Sequence, residues 1–123
     1  MSSRRQERVA ERVKQEISQI ILRELQDPRI GFLTVTKVEM SPDLRFAKVF
    51  VSVLGDETKQ ALTLRGLQSA SPFIRLTIGR RVQLRYTPRL RFQLDDSVKK
   101  SVHLSKLIRE ALEDSGERDA TSG

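Results

Sequence analysis

Residues 58–94 change their apolar period part-way along, and this constrains the fold more than any other feature of the sequence. Ala61, Leu62, Leu64, Leu67 and Ala70 are spaced for a helix. Ser71-Pro72 follows, a serine outside a first turn and a proline at a first helical position, where the missing N–H is not needed. The pattern predicts a break and a second helix carrying Phe73, Ile74, Leu76 and Ile78, ended by Gly79 as a left-handed cap. The period then falls to two. Val82, Leu84 and Tyr86 alternate with Gln83, Arg85 and Thr87, and Leu90, Phe92 and Leu94 resume the rhythm beyond Pro88. This predicts a strand loaded with Arg80, Arg81, Arg85, Arg89 and Arg91, entered from a helix-kink-helix. Such a layout suits nucleic acid.

The charge balance points the same way. Twenty-three Lys+Arg against 16 Asp+Glu give +7. Most of the basic residues are arginines, whose planar fork suits phosphate and stacking contacts. Moderate positive charge also keeps proteins soluble, so placement decides more than the total. At 123 residues the chain is long enough for one core without staples. It has no cysteine, which excludes disulfides and thiolate metal sites and suits a reducing compartment. No apolar run reaches a membrane span, and the N-terminus has no signal-peptide apolar region.

Residues 4–25 read as an amphipathic helix opened by a capping box at Ser3-Arg4-Arg5-Gln6. Val9, Val13, Ile17, Ile20, Ile21 and Glu24 lie on one side, while Arg4, Arg5, Arg8, Arg12 and Arg23 project from another. Arg4, Arg8 and Arg12 repel at i, i+4, i+8, with Glu7 and Glu11 relieving part of it. That face is either solvated or turned towards phosphates, which would remove the repulsion.

Asp27-Pro28-Arg29-Ile30-Gly31 ends the helix. Leu33 to Met40 is a strand whose imperfect alternation leaves room for a β-bulge, and Ser41-Pro42-Asp43 is a turn. Ala47, Val49, Val51 and Val53 then alternate with Phe46, Lys48, Phe50 and Ser52. Phe46 and Phe50 either pack under another segment or form a stacking or partner surface. Gly55-Asp56-Glu57-Thr58 leads into the next helix. After the basic strand, Asp95-Asp96-Ser97 caps a last helix with Val98, Val102, Leu104, Leu107, Ile108, Ala111 and Leu112. The reading divides the chain into one domain over 1–112 and a disordered tail over 113–123.

The order α-β-β-α-α-β-α predicts an α+β fold, a three-stranded sheet covered by helices, as in a type II KH domain. The sequence resembles the ribosome-binding factor A family over residues 4 to about 110. The resemblance is carried by Arg8-Val9 with Ile17, Ile20, Ile21 and Leu22, and by Asp27-Pro28-Arg29, Val35-Thr36-Lys37-Val38 and Ser41 to Ser52. Phe73-Ile74-Arg75, Leu76 to Arg81, Pro88 to Phe92, Asp95-Asp96-Ser97 and Leu104 to Ile108 complete it. KH domains commonly use a GxxG loop, which is absent here; the family has an Ala-x-Gly kink, and this chain offers Ala70-Ser71-Pro72. Pro72 in place of that glycine removes a backbone donor, and Ser101 stands where relatives usually have glycine.

The resemblance implies a cytoplasmic (or plastid stromal) monomer that binds the free or immature 30S subunit. Its contact there is 16S rRNA, near the 5′-terminal helix and central pseudoknot. It implies help in late maturation and 5′-end processing of the precursor, including in the cold, no cofactor and no RNA cleavage. An assembly GTPase stays open as a further partner. On this reading the RNA-facing residues are Arg4, Arg5, Arg8, Arg12, Arg45, Lys48, Arg75, Arg80, Arg81, Arg85, Arg89 and Arg91, with the first-helix and third-strand arginines on one continuous surface.

Other functions find less in the sequence. His103 is the one histidine, and Asp95 and Asp96 read as caps, so no nucleophile–base pair or metal-ligand cluster has useful spacing. A generic KH-like single-strand binder or RNA chaperone, and a protein-interaction module using Phe46 and Phe50, are the remaining alternatives.

Overall fold

The computed structural model describes residues 2–97 and 105–113. Helix α1 (Arg4–Arg23) leads into strands β1 (Leu33–Met40) and β2 (Phe46–Val53), then helix α2 (Glu57–Arg81) and strand β3 (Arg89–Leu94). Residues 105–113 are helical again, and each of them is exposed. The sheet order is β1-β2-β3, with β1–β2 antiparallel and β2–β3 parallel. The α+β class and the helix-covered three-stranded sheet are as the sequence predicts.

Local chemistry sets the ends of α1. Ser3 Oγ accepts the Gln6 amide at 3.1 Å, while Gln6 Oε1 accepts the Ser3 amide at 2.8 Å, completing the capping box. Gln6 is also buried, because its Nε2 donates to the Met40 carbonyl at 3.1 Å and ties the helix start to the end of β1. Ala10, Val13, Ile17 and Ile20 continue that buried stripe. It meets Val35, Val38 and Met40 of β1, Ala47, Val49, Val51 and Val53 of β2, and Leu90 and Phe92 of β3 in one core. Truncating a fully buried member such as Ile17 or Ile74 should cost about 2–5 kcal/mol.

The bulge in β1 is present: the register shifts between Val35 and Lys37, leaving Thr36 unpaired with a β2 residue. The turn after β1 is held by Ser41, whose Oγ donates to Asp43 Oδ1 at 2.6 Å and accepts the Phe46 amide at 3.0 Å. Gly55 takes φ of 130° before Asp56, which caps α2 by accepting the Lys59 amide at 2.9 Å.

Four local expectations are corrected. The predicted new helix at Ser71-Pro72 is instead the middle of α2, with Pro72 inside it and Ser71 buried rather than capping. Proline forfeits the bond to the Gln68 carbonyl, a cost of about 3 kcal/mol in a helix interior. Against it stands one continuous stripe across the site, Thr63, Leu67, Ser71, Ile74 and Ile78, buried at helical spacing. Phe73 and Leu76, read from the sequence among that helix's apolar contacts, are exposed. Gly79 does not end the helix: α2 runs to Arg81, and Val82 caps it through its amide on the Ile78 carbonyl. Residues 82–88 form no strand, so the alternation of Val82, Leu84 and Tyr86 is not strand alternation; β3 starts only at Arg89. Instead of pairing with β2, this segment is held from α2, where Arg75 donates to the Thr87 and Pro88 carbonyls at 3.3 and 3.1 Å.

The outer edge of β3 finds its partner in a side chain. Gln68 Nε2 donates to the Leu90 carbonyl and its Oε1 accepts the Phe92 amide, so two of the strand's outward backbone groups are satisfied from α2. Asp95 accepts the Ser97 amide at 2.8 Å, while the first turn of the helix that the sequence expects it to cap lies, beyond Ser97, outside the described residues. Val98, Ser101, Val102, His103 and Leu104, and the tail from residue 114, lie outside the described residues.

Candidate nucleic-acid interface

Alternation along the strands separates the sheet into two unlike faces. Leu90 and Phe92 face the helices, so Arg89 and Arg91 face the other way. Ala47, Val49, Val51 and Val53 likewise leave Phe46, Lys48, Phe50 and Ser52 on the outer face of β2. The register sets Phe46 beside Arg89 and Lys48 beside Arg91, with Glu39 of β1 on the other side of Lys48. Lys37 is ion-paired to Glu39 at 2.7 Å, and its ammonium stands 6.0 Å from the Phe50 ring centre. Phe46 is 54% exposed. The outer face therefore carries two aromatic rings among Lys37, Lys48, Arg89 and Arg91, with one carboxylate already engaged.

At one end of this face a second basic group gathers. The Arg89 amide donates to the Arg45 carbonyl at 2.8 Å, joining the starts of β2 and β3. The Arg45 guanidinium lies 4.2 Å from the Tyr86 ring centre, and that of Arg85 lies 5.5 Å from it. Arg5 of α1 lines the same groove as Arg85 and Tyr86. The helix and strand arginines thus do not share one flat face. Leu90 and Phe92 point to the helical layer, so Arg89 and Arg91 lie on the opposite side of the sheet from α1, and the two sets meet only around the sheet end through Arg5, Arg45 and Arg85.

The remaining arginines divide by what they touch. Arg4, Arg8 and Arg80 are exposed, with no ion pair among the described residues. Arg12 reaches Glu16 at 4.0 Å. Arg81 is ion-paired to Glu24 and stands 3.7 Å from Glu16, linking the two helices. Its guanidinium is held in the charged form chiefly by the hydrogen bond to Glu24. Arg75 is committed to backbone carbonyls of segment 82–88. Both are engaged by partners within the fold; the sequence placed them with the RNA-facing set. Ala70, Ser71 and Pro72 form no phosphate-facing loop; Ser71 is buried and Ala70 half-buried within α2.

Two residues of the interface escape sequence reasoning. Tyr86 reads there as an apolar position of an alternating strand, yet it is 44% exposed and stands beside two guanidinium groups. Leu44 takes φ of 61°, a left-handed conformation that non-glycine residues rarely adopt. The Leu44 amide on the Ser41 carbonyl and the Arg45 amide on Asp43 Oδ1 hold it there. Asp43 is kept ionised to lower pH than usual, first by the Ser41 hydroxyl and then by the Arg45 amide. Among the described residues no three His, Cys, Asp or Glu side chains gather to hold a metal ion, and no helix is long and apolar enough to cross a membrane.

The family model for ribosome-binding factor A matches residues 5–108. The chain belongs to the ribosome-binding factor A family. Ribosome-binding factor A of Acetivibrio thermocellus is 50% identical over 115 residues, which cover 92% of this chain and 94% of that protein. The crystal structure of ribosome-binding factor A from Thermus thermophilus superposes with a TM-score of 0.64 at 30% identity, covering 72% of this chain and 94% of the other. A homology model of the Thermus thermophilus factor, fitted into a cryo-EM map of a 30S complex, gives a TM-score of 0.59 at 31% identity, covering 71% and 91%. In this member of the ribosome-binding factor A family, the sheet end and the outer sheet face each combine exposed cations with an exposed aromatic ring.

Proposed function

We propose that this chain binds the small (30S) ribosomal subunit through 16S rRNA and assists its late maturation as a monomer, without cutting RNA. The observation that carries this reading is the basic outer sheet face, where Lys48, Arg89 and Arg91 stand in register beside Phe46 and Phe50. Folded rRNA is recognised largely by shape and phosphate contacts, and such a face offers guanidinium groups at fixed spacing with rings for any unpaired base. A relative of the same family has been fitted into a 30S complex, which supports the small subunit as the partner. The finer assignment is to the 5′-terminal helix and central pseudoknot of an immature subunit, with consequences for 5′-end processing and for growth in the cold. An assembly GTPase acting on release fits the same step. The setting is cytoplasmic.

Sedimentation with separated subunits tests it. Specific retention on the small subunit, with log affinity falling against log salt at a slope of about −4 to −5 for roughly six neutralised phosphates, is the expected result. The double variant Arg89→Glu, Arg91→Glu should lose that retention while keeping the wild-type circular dichroism. Equal retention by any RNA would replace the assembly factor with a generic single-strand binder. A slope near −1 would remove the phosphate-facing surface altogether.

A further inference from the structure

The groove at the sheet end has a shape and lining that a flat phosphate contact does not require. It encloses about 300 Å³ between the start of α1, the β1–β2 turn and segment 82–88. Pro42, Leu44 and Leu84 supply apolar wall, and Arg5 and Arg85 supply charge. Asp43, the acid of the lining, is already committed to the Ser41 hydroxyl and the Arg45 amide. At the mouth, the Arg45 guanidinium lies against the half-exposed Tyr86 ring at 4.2 Å, with Arg85 5.5 Å from the same ring. Leu44 holds a left-handed backbone between Asp43 and Arg45, a conformation that costs roughly 1–2 kcal/mol and is often retained where a site needs it. It turns the chain so that Leu44 is half-buried against the core while the next residue, Arg45, meets Tyr86.

We propose that this groove takes a single unpaired nucleotide of single-stranded RNA, the base stacking on the Arg45–Tyr86 pair and the phosphate held by Arg5 and Arg85. This rests on RNA being the partner and adds which kind of RNA element the chain reads. Every base has a π-face, and stacking on aromatic rings or guanidinium planes tolerates any sequence. A duplex cannot present a base this way without unpairing it, so the groove selects unpaired segments. Tyr86 then supplies the ring of the stacking pair, while the phosphate contact belongs to Arg5 and Arg85.

The test uses the full chain with a labelled ten-nucleotide polyuridine RNA and a duplex RNA of the same length, read by fluorescence anisotropy. The wild-type chain should prefer the single strand. Tyr86→Ala should weaken single-strand binding about five- to tenfold and leave the salt slope unchanged, because no charge is removed. Tyr86→Phe should restore binding, since the ring remains, and Arg85→Ala should weaken it and make the slope shallower by about 1. Tyr86 is exposed, so wild-type circular dichroism is expected for both variants. Unchanged single-strand affinity in folded Tyr86→Ala would overturn the proposal, as would equal weakening for single strand and duplex. Subunit sedimentation run in parallel separates the two readings. If wild type and Tyr86→Ala both bind the small subunit equally and bind polyuridine equally, the groove assignment alone fails. If wild type ignores the subunit but the Tyr86 effect on polyuridine remains, the groove stands and the ribosomal reading falls.

Discussion

Thr36 Oγ1 donates to Asp95 Oδ2 at 2.5 Å, joining the bulge of β1 to the end of β3 across the intervening strand. The bulge frees Thr36 from the β1–β2 pairing, and the same carboxylate accepts the Ser97 amide on its other oxygen at 2.8 Å. Ser97, then Thr36, hold the Asp95 carboxyl down to about 2 from an ordinary 3.8. The folded value lies below the unfolded one, so this contribution is complete above about pH 3.8 and is lost as pH falls through about 2. Thr36→Val should therefore be less stable than wild type at neutral pH, with the gap narrowing between pH 4 and pH 2. Urea melts at several pH values measure this. A gap constant with pH would show that the hydroxyl does not stabilise the ionised carboxylate.

Two glycines of α2 should respond to alanine with opposite signs. A Cβ on Gly66 would stand 2.8 Å from Ile30 Cγ1 and 3.4 Å from Arg29 Cβ, where the 27–31 segment docks. Thr63 Oγ1 fixes that docking by accepting the Gly31 amide and donating to the Arg29 carbonyl. Gly66→Ala should destabilise by about 1–2 kcal/mol after allowing for the gain in helix propensity. At Gly79 the nearest atom is the Thr87 hydroxyl at 3.0 Å, a side chain able to rotate. Gly79→Ala should stabilise by about 0.5–1 kcal/mol, because the residue lies inside the helix rather than at its end. Thermal melts of the two variants decide both signs.

Pro72 works against the helix that contains it. Pro72→Ala restores a donor for the Gln68 carbonyl and relieves the ring's clash with the preceding turn. The expected result is a gain of about 1–3 kcal/mol with unchanged circular dichroism. Pro72→Gly should also leave the fold intact, gaining less because glycine is a poor helix former. A loss of stability in the alanine variant would show that the core requires proline's own geometry at this point.

Arg75 and Arg80 separate structure from binding within one helix. Arg75 donates two hydrogen bonds to the carbonyls of Thr87 and Pro88 and is half-buried, whereas Arg80 is exposed. Arg75→Ala should cost about 1–3 kcal/mol and also weaken RNA binding, since Arg85 and Tyr86 are carried by the segment it holds. Arg80→Ala should leave stability within about 0.5 kcal/mol of wild type and change only the salt-dependent part of RNA affinity. Paired urea melts and salt titrations of RNA binding distinguish these outcomes.

Sequence alone determined whatever depends on neighbours along the chain. The capping box at Ser3 and Gln6 and the buried stripe through Val13, Ile17 and Ile20 follow from spacing of a few residues, and the imperfect alternation of β1 left room for its bulge. So did the α+β order and the family, whose pattern runs over most of the chain. Tertiary structure decided what depends on residues far apart in sequence. Pro72 reads locally as a helix start, but burial on both sides of it makes α2 one helix. Residues 82–88 alternate like a strand, but Arg75 holds their end instead of β2 pairing with them. Among the arginines, composition treats Arg75, Arg81 and Arg85 alike. Only the fold gives the first two backbone carbonyls and carboxylates as partners and sets the third beside Tyr86, because a charge is assigned its role by what surrounds it in space.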